Sequence, residues 1–94
     1  MGGEPLCPQN TFLTYMIVRT VKEKVPQAKI YIWSGYTYDK LLDNINHKIK
    51  DILNIADYLI DGPYIYALRD STLPMRGSTN QRIIDLRTKK EIEL

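Results

Sequence analysis

The residues with the clearest chemical potential stand at the start of the chain, in the run Gly2-Gly3-Glu4-Pro5. Glycine has no Cβ, so two successive glycines let the backbone approach a ligand closely. Proline restricts the preceding residue to extended conformations. We expect this to direct the Glu4 carboxylate outward, as an acceptor for a cationic amine. The same run also fits an ordinary turn between a strand and a helix, and the four residues alone do not decide between these interpretations.

Two further polar turns follow short apolar runs. Ser34-Gly35 comes directly after residues 30–33, and Asp61-Gly62-Pro63 comes directly after residues 57–60. Ligands of parallel α/β sheets bind beyond the carboxyl ends of the strands. We therefore expect both turns to meet the Gly2–Glu4 run at one edge of a sheet. Ser34 is either a hydroxyl that contacts the ligand or a turn residue, and Asp61 either accepts a hydrogen bond from the ligand or caps the next turn.

A polar stretch near the end of the chain, residues 76–82, carries two guanidinium groups. Arginine suits a carboxylate because its planar fork binds both oxygens. The candidate contacts of a cofactor or a protein partner are Arg76, Asn80, Gln81 and Arg82. The alternative is a solvated loop whose polar side chains bond to nearby backbone.

The chain has one cysteine, Cys7, and one histidine, His47. An iron–sulfur cluster that needs three protein thiolates cannot be held by one. We therefore predict no metal ligand and no catalytic residue in this chain. Cys7 is interpreted as a plain structural or exposed thiol, and His47 as an exposed helix residue.

The elements that must position these residues alternate between helix-like and strand-like patterns, which indicates βαβ units and a parallel sheet. Apolar residues spaced by three and four predict that the first helix buries one face, made of Phe12, Leu13, Met16, Ile17 and Val21. The predicted elements are a helix over 8–24, a strand over 29–33, a helix over 38–53, a strand over 57–60 and a strand over 81–86. The connection over 64–80 is long, with one helical turn around 65–68.

Composition limits the class of protein. The chain has 94 residues and a net charge of +2, which predicts a single domain and gives no argument for binding nucleic acid. A single cysteine favours a reducing compartment, the cytoplasm. No apolar run approaches the roughly 18 residues of a membrane span, so none is expected.

Four segments in this order resemble one family. They are GGEP at 2–5, IYIWSGY at 30–36, DYLIDGPY at 57–64 and LPMRGSTNQRIIDL at 73–86. Together they resemble the activating protein of the anaerobic (class III) ribonucleotide reductase, of the radical S-adenosylmethionine superfamily. The resemblance runs from Gly2 to about Leu86. It implies a partial (β/α) barrel with about three mostly parallel strands and two crossover helices, as a single partial domain over 1–94. Residues 87–94 form either a hairpin return or a frayed tail.

The resemblance also implies a chemistry. The complete family protein reductively cleaves S-adenosylmethionine at a [4Fe–4S] cluster held by a C-x3-C-x2-C motif, and a glycine of the reductase becomes a radical. By resemblance, the residues that bind S-adenosylmethionine are Gly2, Gly3, Glu4, Ser34, Gly35 and Asp61.

This chain departs from the family because it lacks the cysteine motif. We expect it to be the C-terminal part of such an activase, inactive and without cofactor when alone. Its expected partners are the large subunit of the anaerobic reductase, the missing N-terminal portion and further copies of itself. The alternative is a non-catalytic module that docks to the reductase. A nucleotide-binding α/β domain of another function rests on fold analogy alone.

Overall fold

The computed structural model describes residues 3–93, which form one open four-stranded sheet with helices on one face. The elements are α1 (Thr11–Lys24), β1 (Tyr31–Trp33), α2 (Tyr38–Leu42), α3 (His47–Ile55), β2 (Tyr58–Asp61), a 3₁₀ turn (Tyr66–Leu68), β3 (Arg82–Asp85) and β4 (Lys90–Ile92). The strands lie side by side in chain order. Strands β1 and β2 are parallel, whereas β2 and β3, and β3 and β4, are antiparallel.

The α/β class is confirmed, but the prediction of about three mostly parallel strands is wrong. Parallel neighbours need a crossover, usually helical. Helices α2 and α3 supply it between β1 and β2, whereas the connection from β2 to β3 contains only the 3₁₀ turn. Strand β4 follows β3 in a hairpin, helped by Lys89, whose φ of 62° is left-handed. The sheet is not closed within residues 3–93, so a radical S-adenosylmethionine barrel stays a prediction.

The predicted helix over 38–53 is interrupted. It divides into α2 and α3, because asparagine side chains between them bond to the backbone in place of helix formation. Asn44 Oδ1 accepts from the amide of Asn46 at 2.8 Å, and Asn46 Oδ1 accepts from the amide of Lys48 at 2.9 Å, which caps α3. The predicted cap at Thr37 is present, at 3.4 Å from the amide of Lys40. His47 is exposed at the start of α3, as expected.

The core lies between the helices and one face of the sheet. It includes Ile32 of β1, Leu59 of β2 and Ile84 of β3, packed against Ile49 and Ile52 of α3. Burying such side chains stabilises the fold by roughly 1.5–3 kcal/mol each.

The prediction that α1 buries its apolar face is wrong. Phe12 is 64% and Leu13 is 60% exposed, and the neighbouring Ile17 is also exposed. The helix instead buries Thr11 and Val18, on the side that packs against α3. None of the described residues covers the apolar face.

A buried carboxylate joins four parts of the fold just before β2. Asp57 accepts hydrogen bonds from Lys22 of α1 at 2.8 Å, from the amide of Ile30 at 2.8 Å and from Arg87 after β3 at 3.1 Å. Burial alone would raise the pKa of Asp57, but these hydrogen bonds outweigh it and lower the pKa to about 2. The ionised form is therefore the one that stabilises the fold.

Among residues 3–93, no helix is long and apolar enough to cross a membrane.

Candidate functional site

A cleft of about 280 Å³ lies where β1 and β2 end. Its walls include Gly3 and Glu4 from the N-terminal run, Ser34 and Gly35 after β1, and Gly62 after β2. The three predicted turns thus meet at the carboxyl end of the one parallel strand pair, where α/β sheets bind ligands. Gly2 lies outside the described residues.

Glu4 does not present its carboxylate outward, so that expectation is wrong. One oxygen, Oε1, accepts from the amide of Gly35 at 2.5 Å. The other, Oε2, accepts from the Ser34 hydroxyl at 2.8 Å and from the amide of Leu6 at 3.0 Å. Ser34 is itself buried. A direct ligand contact by Glu4, Ser34 or Gly35 stays a prediction.

Asp61 and Arg82, both predicted site residues, pair with each other. Asp61 is only 1% exposed, and its two oxygens accept from Arg82 at 3.1 and 2.5 Å. Oδ2 also accepts from the amide of Tyr38, the first residue of α2, at 2.7 Å. This contact caps the start of α2, a long-range role that differs from the predicted capping of the turn directly after Asp61. The hydrogen bond to Asp61 raises the pKa of Arg82 above its ordinary value. Binding of a cofactor or partner by either residue remains a prediction.

The polar stretch 76–82 folds back onto the end of β2. Gln81 lines the cleft, and its Oε1 accepts from the amide of Gly77 at 2.8 Å while its Nε2 donates to the carbonyl of Gly62 at 3.0 Å. Asn80 Nδ2 donates to the carbonyl of Pro63 at 2.8 Å. These bonds match the alternative in which polar loop side chains bond to nearby backbone.

Two buried polar atoms of this loop have no partner among the described residues, Arg76 Nε and Asn80 Oδ1. A buried polar group without a partner costs free energy. These atoms therefore leave open the ligand or partner contacts that were predicted for Arg76 and Asn80.

The sequence analysis missed two aromatic walls of the cleft. Trp33 borders the cleft, and its Nε1 donates to the carbonyl of Met75 at 2.7 Å. Tyr64 lies so close to Gly77 that a Cβ there would come within 2.9 Å of the ring. Met75 has a left-handed φ of 63°, a conformation that non-glycine residues seldom adopt. The available signals were an aromatic residue at a strand end and a glycine inside a polar loop.

The residues present do not fit a [4Fe–4S] cluster. Cys7, the one cysteine of the chain, is half-buried beside the first turn of α1. In the described part of the chain, no group of three or more histidine, cysteine, aspartate or glutamate residues is arranged to hold a metal. The cleft is slightly smaller than the pockets of about 300–1,000 Å³ that typically bind small molecules. It therefore has room for part of a small ligand.

Comparison with known proteins identifies the family to which this chain is similar. The family described as "4Fe-4S single cluster domain" matches residues 1–84. Three similar proteins are each named anaerobic ribonucleoside-triphosphate reductase-activating protein. That of Escherichia coli K12 is 34% identical over 92% of this chain and 53% of its own length. That of Haemophilus influenzae is 38% identical over 87% of this chain and 50% of its own. That of the phage T4 is 37% identical over 87% of this chain and 48% of its own.

The chain thus spans about half the length of the curated relatives it matches. No solved structure matches it significantly. The family match over residues 1–84 covers the three turns of the cleft and the loop that folds onto the end of β2. The chain therefore belongs to the 4Fe-4S single cluster domain family.

Proposed function

We propose that this chain forms the part of an activating protein for anaerobic ribonucleotide reductase that faces S-adenosylmethionine. The observation that carries the proposal is the identity of 34–38% with proteins of that name over most of the chain. The cleft supports it, because Gly3, Ser34 and Gly35 meet where a ligand of this fold class would lie. A reducing cytoplasm is the compartment that we propose.

The cleft would bind through backbone and polar groups rather than through a catalytic side chain. A Cβ at Gly3 would meet only Asn10 Nδ2, at 3.7 Å, so the absence of a side chain there keeps the cleft open. Gly62, with a φ of 96°, turns the chain at the part of the cleft wall that follows β2. Buried Arg76 Nε lies in the loop that folds back onto the end of β2 and would suit a carboxylate.

The iron–sulfur chemistry would come from a different polypeptide segment, because one cysteine does not supply the ligands. We therefore propose that the chain works together with a cysteine-rich segment and with the reductase, and that alone it is inactive.

The test mixes the purified chain anaerobically with the portion of the Escherichia coli relative that lies outside the match. The mixture is reconstituted with iron and sulfide, and the glycyl radical of the reductase is then measured by electron paramagnetic resonance. We expect a radical and about four irons per pair of segments, and neither with the chain alone. A stoichiometric cluster on the chain alone would contradict the proposal, and so would a mixture that takes up iron but produces no radical.

A second candidate function, a non-catalytic docking module, is favoured by uncovered surface. Strand β1 is an edge strand whose Ile30 carbonyl and Ser34 amide bond to β2. The backbone hydrogen-bonding groups of successive residues alternate in direction along a parallel strand, so those of Tyr31 and Trp33 face away from β2. This side of β1 lies next to the exposed apolar face of α1. Free edges of this kind pair with other chains. A docking module would bind the reductase without iron or sulfide in the complex, and iron analysis separates the two functions.

A further inference from the structure

We propose that Glu4 is a positioning residue: its carboxylate fixes the Ser34–Gly35 turn across the cleft instead of receiving the ammonium group of the ligand. The inference rests on the proposed function, because the ligand concerned is S-adenosylmethionine. It assigns the acidic residue of the N-terminal run a role that acts through its neighbours.

Both carboxylate oxygens of Glu4 are directed at the protein. The amide of Gly35 lies 2.5 Å from Oε1, and the Ser34 hydroxyl lies 2.8 Å from Oε2. The amide of Tyr36 in turn donates to Ser34 Oγ at 3.1 Å. Hydrogen bonds to an ionised acceptor are about twice as strong as neutral ones. One carboxylate thus orders three successive residues after β1.

Hydrogen bonds also hold the backbone of Glu4 and its neighbour. The carbonyl of Glu4 accepts from Asn10 Nδ2 at 2.9 Å, and the carbonyl of Pro5 accepts from the Thr14 hydroxyl at 2.7 Å. Asn10 and Thr14 belong to the start of α1. Glu4 therefore connects the helix to the turn beyond β1, a link between segments 30 residues apart in the chain.

Gly35 is the counterpart of this contact. A Cβ at position 35 would come within 3.3 Å of Glu4 Oε1, closer than side chains comfortably approach an oxygen. The glycine thus admits the carboxylate, and the carboxylate holds the glycine amide. This pairing gives the Ser34-Gly35 sequence a purpose apart from ligand contact.

The two roles of Glu4 differ in which ligands they affect. An acceptor for an ammonium group matters only to a ligand with the amino-acid arm. A residue that shapes the cleft matters equally to 5′-methylthioadenosine, which has the nucleoside without that arm. Binding of both compounds to the whole chain is followed by amide chemical shifts, which detect weak affinities.

We expect Glu4→Gln to raise the Kd of both ligands by a similar factor of about ten, because a charged acceptor of three hydrogen bonds is lost. The amides of Gly35 and Leu6 should shift most in the ligand-free spectrum. Ser34→Ala should weaken both ligands by a smaller, equal factor. Glu23→Gln, the same change at an exposed site of α1, should alter none of these values.

Loss of S-adenosylmethionine binding alone, with the Gly35 amide unmoved, would overturn the proposal. If the unmodified chain binds neither ligand even when it is combined with the cysteine-rich segment, the proposed cofactor function fails, while the Gly35 and Leu6 amides still decide whether Glu4 holds the turn. Gly35→Ala serves if Glu4→Gln does not fold. It keeps the acid but displaces it, and unchanged Kd values for both ligands in that variant would refute the positioning role.

Discussion

Two buried aspartates stand at the two ends of strand β2, one on the side away from the cleft and one next to the cleft. Asp57, at the amino end, holds Lys22, Arg87 and a backbone amide far from the cleft. Asp61, at the carboxyl end, holds Arg82 and the first amide of α2 next to the cleft. Both are only 1% exposed. An aspartate at a strand end near a ligand site thus has the same kind of partners as one that only stabilises the fold, so residue type and place do not establish a binding role.

The largest expected effect is at the amino end. Asp57→Ala should lower the free energy of unfolding by about 4 kcal/mol, since it leaves two cations and an amide without their shared acceptor. Urea unfolding followed by circular dichroism measures this. Asp43→Ala, an exposed aspartate after α2, should change the value by less than about 0.5 kcal/mol. Equal changes in the free energy of unfolding in the two variants would contradict the stabilising role of Asp57.

The carboxyl end should respond somewhat less. Asp61→Asn keeps an oxygen for the Tyr38 amide but loses the charge opposite Arg82, and we expect a loss of about 3 kcal/mol. A double-mutant cycle with Arg82→Leu tests the pair directly. The expected coupling energy exceeds about 1 kcal/mol, and additive effects of the two changes would show that the pair contributes nothing.

Acid tests the stabilising role of Asp57 in a second way. Because the pKa of Asp57 is lowered from 3.8 to about 2, its ionised form stabilises the fold above pH 3.8. That stability, about 2 kcal/mol, is lost as the pH falls from about 4 to about 2. Unfolding free energies measured over this range should fall less steeply in Asp57→Asn than in the unmodified chain. Parallel curves would contradict the lowered pKa.

The smallest effect on stability is expected at Gly3. Because a Cβ there has room, Gly3→Val should change the free energy of unfolding by less than about 0.5 kcal/mol. We expect weak or absent binding of S-adenosylmethionine by the chain alone, and Gly3→Val should abolish any such binding, because the branched side chain fills the cleft. Gly77→Ala is the contrasting variant for the free energy of unfolding, since its Cβ would clash with the Tyr64 ring at 2.9 Å. Retained binding in Gly3→Val would place the ligand elsewhere.

Local patterns predicted much of the scaffold. The apolar runs before Ser34 and Asp61 predicted β1 and β2, and the polar turns after them predicted which residues surround the cleft. The 3₁₀ turn at Tyr66–Leu68 was also expected from the sequence. These features depend on neighbouring residues, so periodicity and turn chemistry are sufficient to find them.

Long-range partners could not be predicted in the same way. The Glu4–Gly35, Asp57–Lys22 and Asp61–Arg82 contacts join residues 21–35 positions apart. No local pattern states which carboxylate meets which donor. The apolar stripe of α1 showed a different limit: its periodicity identified one apolar face but not whether any other element covers that face.

The hydrogen bond from Trp33 to the Met75 carbonyl gives the molecule a built-in optical reporter. Trp33 is the sole tryptophan of the chain, and its indole joins the edge strand to the long loop beside the cleft. Any event that lifts the loop frees the indole N–H to water and changes the emission of this one fluorophore. Movement of the loop can therefore be timed in solution by stopped-flow fluorescence, without attaching a label.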